Sequence, residues 1–158
     1  MKWILGAFVA GYFSAKKLLL NDKKIKEMQS QLEKITFYYQ ILNMWMEMKQ
    51  KGISTVSYLQ KKGIARVAIY GMKELGERLY EELKSTDIEV VCIIDKNPRQ
   101  VLGDFIVISP EESIPKVDAI IVTANYYYLE IAEELKEKVD CPIYSLNGVL
   151  GNSFGRNL

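Results

Sequence analysis

The run Arg66-Val67-Ala68-Ile69-Tyr70-Gly71-Met72-Lys73-Glu74-Leu75-Gly76-Glu77-Arg78-Leu79-Tyr80 constrains this chain more than any other. Its first five residues read as a buried strand, Gly71 as a tight turn, and the rest as the opening turns of a helix. That layout aims a helix N-terminus, with its unpaired N–H groups, beyond the end of the strand, where a phosphate can be received. Further on, Val90-Val91-Cys92-Ile93-Ile94-Asp95 is a second apolar strand ending in an acid, the place where a dinucleotide-binding unit holds a ribose. The middle glycine of the G-x-G-x-x-G pattern is Lys73 here, so the fold is signalled more strongly than any ligand.

From Ala65 onward, short apolar runs alternate with helical segments, the mark of βαβ units and a parallel sheet. Strands are expected at 66–70, 89–94, 105–108, 119–122 and 142–144. Leu75, Leu79 and Leu83 step along a helix at 74–84, and a second helix is expected at 126–138. Asp95-Lys96-Asn97-Pro98 is a turn signal. Ser109 is placed to cap a helix with Pro110 in its first position and Glu112 three residues on. Asn147-Gly148 and Gly151-Asn152 punctuate a tail, taken as 151–158. The expected fold class is α/β, a Rossmann-like parallel sheet of about five strands in the order 3-2-1-4-5. Its switch point lies between strands one and four. Ligands would sit over the Gly71 and Thr123 turns, with Asp95 on the same sheet edge.

Composition excludes several kinds of chemistry. There is no histidine, which removes the commonest general base, any Ser-His or Cys-His nucleophile pair, and imidazole metal ligands. The two cysteines, Cys92 and Cys141, lie in or beside strands without metal-ligand spacing, as buried reduced thiols of a cytosolic protein do. No metal site and no catalytic residue is expected. The net charge of +1 conceals a division. Residues 1–64 carry 11 lysines against 4 acids, and residues 65–158 carry 10 basic against 16 acidic residues. The basic front suits an anionic surface, and the acidic rear argues against nucleic acid as a partner.

The front half reads as helical. Residues 3–15 are almost free of charge, but thirteen helical residues span only about 20 Å, against a hydrocarbon core of about 30 Å. Ala7, Gly11 and Ala15 recur four apart, as on close-packed membrane helices. Lysines 16, 17, 23, 24 and 26 follow, as on the cytoplasmic side of an anchor. Phe13-Ser14-Ala15 makes a poor secretory cleavage site. Residues 1–20 therefore fit either attachment at the inner face of a membrane or packing on protein. Over 23–50, Ile25, Met28, Leu32, Ile35, Tyr39, Leu42 and Met46 follow a 3-4-3-4 spacing, that of a coiled-coil seam. A second stripe, Tyr38, Ile41, Trp45 and Met48, widens the apolar face later on. A homo-oligomer, at its simplest a dimer, is expected through this helix. Lys51-Gly52 ends it, and Ser54 caps a short helix carrying Val56 and Leu59 that stops at Gly63. The expected divisions are 1–20, 21–63, 64–150 and 151–158.

Residues 62–150, with Ala68-Ile69-Tyr70-Gly71, Glu74-Leu75-Gly76, Ile94-Asp95-Lys96-Asn97, Ile108-Ser109-Pro110 and Asp118-Ala119-Ile120-Ile121-Val122-Thr123, resemble small bacterial Rossmann-like domains associated with capsule and surface-polysaccharide biosynthesis. These include the nucleotide-sugar-binding N-terminal domain of sugar acetyltransferases and the dinucleotide- or CoA-binding domain of sugar epimerase/dehydratase proteins. The resemblance implies a nucleotide-containing ligand, NAD(P) or a nucleotide-sugar. On it, Gly71 and Gly76 match the glycine turn and Asp95 the ribose-binding acid. Lys73 departs from the pattern, and residues 1–60 lie outside it.

Each candidate carries two readings. Gly71 through Gly76 (Met72, Lys73, Glu74 and Leu75 between them) form the phosphate turn, yet both glycines are needed in an empty fold as well. Lys73 either reaches a phosphate as a point charge or keeps a dinucleotide out. Asp95, beside Lys96, accepts ribose hydroxyls or starts a turn. Thr123 and Asn125 donate to a ligand or cap the next helix. A ring of Tyr126-Tyr127-Tyr128 stacks on a base or packs on neighbours. Tyr58…Lys62 and Tyr80…Lys84 match Y-x-x-x-K, but neither follows a fourth strand, where short-chain dehydrogenase chemistry belongs. Glu81-Glu82, Glu111-Glu112 and Glu133-Glu134 read as solvated surface. The functional expectation is a non-catalytic nucleotide-binding protein. The alternatives are a scaffold with an empty site and an NAD-dependent sugar-nucleotide enzyme.

Overall fold

The computed structural model describes residues 2–100, 103 and 105–155, with side chains from residue 21 onward except Gln100. The chain divides into two units, Met1–Gln40 and Ile41–Leu158. The first is helical throughout its described part, because helix α1 runs Lys2–Gln50 without a break. No glycine or proline stands between Tyr12 and Lys51, so nothing separates the two helical stretches that the charge pattern suggests. Among the described residues, no helix is long and apolar enough to cross a membrane. The side chains behind the anchor expectation for residues 1–20 lie outside the described part.

The second unit opens with the last turns of α1, where Ile41, Met44, Trp45 and Met48 are buried. Helix α2 (Thr55–Lys61) follows, with the Ser54 hydroxyl accepting from Val56 N at its start. Gly63, at φ +71°, closes it in the left-handed region.

The sheet comprises β1 (Arg66–Tyr70), β2 (Glu89–Ile94), β3 (Val107–Ile108), β4 (Ala119–Val122) and β5 (Ile143–Ser145). Its order is β3-β2-β1-β4-β5 and every pairing is parallel. β4 is buried at all four positions, as a strand covered on both faces must be. One face joins Ala68, Tyr70, Cys92, Ile94, Ile120 and Val122 to Ile131 and Leu135 of helix α4 (Tyr128–Lys136). By strand alternation, Val67, Ile69, Ile93 and Ile121 face the other way. Helix α3 (Glu74–Leu83) contacts β1 and β2 and buries Leu75, Leu79 and Leu83. Tyr70 pairs in register with Ile94 and Val122, so three strand ends meet at one edge.

Four segments differ from expectation. The strand expected at 105–108 is two residues long. Ser109-Pro110-Glu111-Glu112 makes half of the expected reciprocal pair, Ser109 N to Glu112 Oε1 at 2.7 Å; Glu112 N goes to the Ser109 backbone carbonyl at 3.0 Å rather than to its hydroxyl, and the segment is only a turn. Pro115 supplies the reason: it lacks an N–H, and it biases Ile114 before it away from helical dihedrals. The crossover from β3 to β4 is therefore irregular. The helix after β4 begins as a 3-10 turn, Asn125–Tyr127, before α4. Finally, the segment expected as a punctuated tail holds helix α5 (Leu146–Ser153), with Ser145 Oγ accepting from Gly148 N at 3.0 Å. Leu146, Val149 and Leu150 are buried there at helical spacing.

Candidate functional site

The ends of β1, β2 and β4 bring Gly71, Met72, Asp95 and Thr123 together. Gly71 has φ +92° and donates its N–H to Ile94 O at 2.8 Å. A Cβ there would lie 2.9 Å from Thr123 Oγ1, and one on Gly76 would collide with the Gly71 carbonyl. Packing alone therefore demands glycine at both positions. Asp95 turns back on the chain: Oδ2 accepts from Met72 N at 3.1 Å and Oδ1 from Asn97 N at 2.8 Å. The carboxylate thus ties the turn after β1 to the turn after β2.

Thr123 closes the gap on the other side. Its buried hydroxyl shares one proton between Gly71 O at 2.8 Å and Tyr70 O at 3.1 Å. Asn125 donates Nδ2 to Thr123 O at 2.9 Å and accepts from Asn147 N at 2.8 Å, tying the 3-10 turn to the start of α5. Lys73 is the N-cap residue of α3, exposed, with extended backbone and no side-chain cap bond. Glu74 beside it is exposed, Leu75 and Gly76 are buried under the helix, and Lys96 is exposed. The first turn of α3 carries Glu74 and Glu77. That acidity favours the helix dipole and opposes an incoming polyphosphate.

The charges that act on Tyr70, at the end of β1, are acidic. Burial, followed by the charges of Glu134, Glu111, Asp95 and Glu130, pushes the Tyr70 phenol up to about 12. Its hydroxyl is buried and has no hydrogen-bond partner among the described residues. A phenol held neutral in this way is not a base near neutral pH. Of the three following tyrosines, Tyr128 donates to Ile143 O at 2.9 Å, while Tyr126 and Tyr127 are exposed and meet edge-on at 5.3 Å. The Y-x-x-x-K pairs do other things. Tyr80 packs edge-on against Phe105 at 5.0 Å, Lys84 bonds Glu81 on its own helix, and the Lys62 ammonium lies 5.9 Å from the Tyr58 ring centroid. Both cysteines are free, and burial pushes the Cys92 thiol up to about 11. Among the described residues, no group of three or more Cys, Asp or Glu is placed to hold a metal ion.

A family described as C2185-like, N-terminal, matches residues 63–144, from Gly63 into β5. The chain belongs to this family. No curated protein and no solved structure was found to match it. The C2185-like segment contains the whole glycine turn together with Asp95, Thr123 and Asn125. It leaves α1, α2 and α5 outside.

The sequence reading missed one polar centre, which joins the C2185-like segment to the end of α1. Glu82 was expected on the surface with Glu81. Glu81 is indeed exposed and paired with Lys84, but the Glu82 side chain is only 4% exposed. Its Oε1 accepts from Ser54 Oγ (3.0 Å), Thr55 N (3.0 Å) and Thr55 Oγ1 (2.8 Å). Its Oε2 accepts from Trp45 Nε1 (2.7 Å) and pairs with Lys49 Nζ (2.9 Å). Burial would raise this acid, but Lys49, Thr55 and Trp45 together outweigh that and hold it below the usual value. A signal was there to find: Glu82 stands seven residues after Leu75, on the stripe that buries Leu75 and Leu79.

Proposed function

We propose that this chain is a non-catalytic assembly module: a Rossmann-like body whose ligand edge is closed on itself. One observation carries the reading. The polar groups that a nucleotide would need are already spent on the protein's own backbone: Asp95 on Met72 and Asn97, Thr123 on Tyr70 and Gly71, and Asn125 on Thr123 and Asn147. A ligand entering the crevice would have to break these bonds and replace them. It would also meet Glu74 and Glu77 where a pyrophosphate should lie. The test is thermal unfolding with NAD, NADP, ATP, CoA and a UDP-sugar, each at saturation. The module reading expects no rise in melting temperature. A ligand at 100 times its Kd stabilises by about 2.7 kcal/mol, so binding would give a clear rise and end the reading.

One feature favours a second reading, recognition of a nucleotide or nucleotide-sugar in surface-polysaccharide biosynthesis. Lys73 caps α3 without a side-chain bond, on the edge where Asp95 stands. First-turn N–H groups would take phosphate, and Asp95 would turn outward to take ribose. In this reading the Lys73 ammonium meets the phosphate as a point charge, so Lys73→Ala lowers nucleotide affinity. An unchanged affinity would remove it.

A further inference from the structure

The helical spacing of α1 carries two apolar stripes, and the structure treats them oppositely. Ile41, Met44, Trp45 and Met48 are buried within the second unit. Ile25, Met28, Leu32, Ile35 and Tyr39, on the heptad stripe, are each more than half exposed, and Leu42 and Met46 continue that stripe, also exposed. Monomers seldom present so long a run of large aliphatic side chains to water.

We propose that this stripe is the seam of a coiled coil between two copies of the same chain. Three observations select that occupant. The 3-4-3-4 spacing holds over three heptads from Ile25 to Met46, about the length at which such a repeat becomes diagnostic. A period of 3.5 stays on one side of a helix only when the helix supercoils around a partner. The positions flanking the seam are Gln29, Thr36 and Asn43 on one side and Gln31 and Tyr38 on the other, uncharged along most of its length with Lys24 at its start. Two copies therefore meet with little like-charge repulsion. A helix lying in a membrane surface flanks its apolar face with lysine and arginine, and a charged protein partner calls for charged flanks. The stripe is also its own complement, since aliphatic layers pair with aliphatic layers, as a symmetric interface requires.

The inference deepens the assembly reading by naming the partner, yet its test is independent of the ligand panel. A ligand-induced rise in melting temperature would end the closed-edge account and leave the seam standing. Sedimentation equilibrium on the full chain should give a mass of twice 18.2 kDa. The double variant Leu32→Glu/Ile35→Glu should weaken association at least about 100-fold by placing charges in the seam. Its second unit should melt normally, because both side chains are exposed. Glu33→Lys, away from the seam, should leave the mass unchanged. A wild-type chain that sediments as a monomer at micromolar concentration overturns the proposal, whether or not the double variant folds. So does an oligomer that survives the double variant. Pelleting with phosphatidylserine vesicles that the double variant abolishes would assign the stripe to a membrane and overturn it as well.

Discussion

Glu82 shows how far residue identity falls short of residue role. Its five donors come from Trp45, Lys49, Ser54 and Thr55, all distant in sequence. Each of those residues has an unremarkable local reading, and only the fold converges them. Removing the carboxylate strands the Trp45, Ser54 and Thr55 donors in a site largely shielded from water, while half-exposed Lys49 turns to solvent. Glu82→Ala should therefore cost about 3 kcal/mol, read as a lower urea midpoint. The pH dependence follows from the lowered pKa of this carboxyl. Folding holds this carboxylate charged, so its contribution is complete above its unfolded value near 4.5 and is lost as pH falls below that. Wild-type stability should fall more steeply than that of Glu82→Gln between about pH 5 and pH 3, and parallel curves would show that Glu82 is not the group responsible. Tyr70 presents the opposite case. Its hydroxyl is buried without a partner among the described residues, so Tyr70→Phe should raise stability by about 1 kcal/mol. A loss in thermal melting would mean that the hydroxyl binds something. Asp95 and Thr123 were legible as polar residues at the right edge. Which atoms they bind depends on how closely the Gly71 turn approaches both of them, and a linear pattern does not encode that distance.

At the scale of elements, legibility followed burial. β1, β2 and β4 lie where their apolar runs placed them, because past an exposed first residue in β1 and β2 such parallel strands carry no charged side chain to blur the pattern. The helix expected after Ser109 fails because its capping signal is local while Pro115 acts from beyond it. Helix α5 was hidden for the reverse reason: Asn147-Gly148 resembles a turn, but Ser145 caps it and Leu146, Val149 and Leu150 bury one side. The element that most constrains the molecule remains the turn from β1 to α3. Gly76 has no room for a methyl group against the Gly71 carbonyl, and backbone on both sides gives little. Gly76→Ala should lower stability by about 2 kcal/mol or more, despite alanine's better helix propensity. A stabilised variant in urea unfolding would show that α3 can shift away from the sheet.

At the scale of the whole molecule, the sheet order followed from alternating strands and helices, because right-handed crossovers leave few other arrangements. The two compact units part between Gln40 and Ile41, inside a helix. Composition marks no border there, since the buried stripe that begins at Ile41 and the exposed heptad stripe run along different faces of one unbroken helix. This has a consequence for the stability of residues 21–40, which are mostly exposed along α1. A helix lacking tertiary packing is marginal in water, because propensity alone barely offsets the entropy of ordering it. If a second copy supplies the missing packing, amide protection over residues 25–40 should depend on protein concentration. Hydrogen exchange read by mass spectrometry should show those amides opening on dilution and in the Leu32→Glu/Ile35→Glu variant. Amides of β1 and β4, buried in the second unit's own sheet, should keep their protection under both conditions. Equal protection of residues 25–40 at all concentrations would mean that the helix is held by its own chain, and the seam would then have no need of a partner.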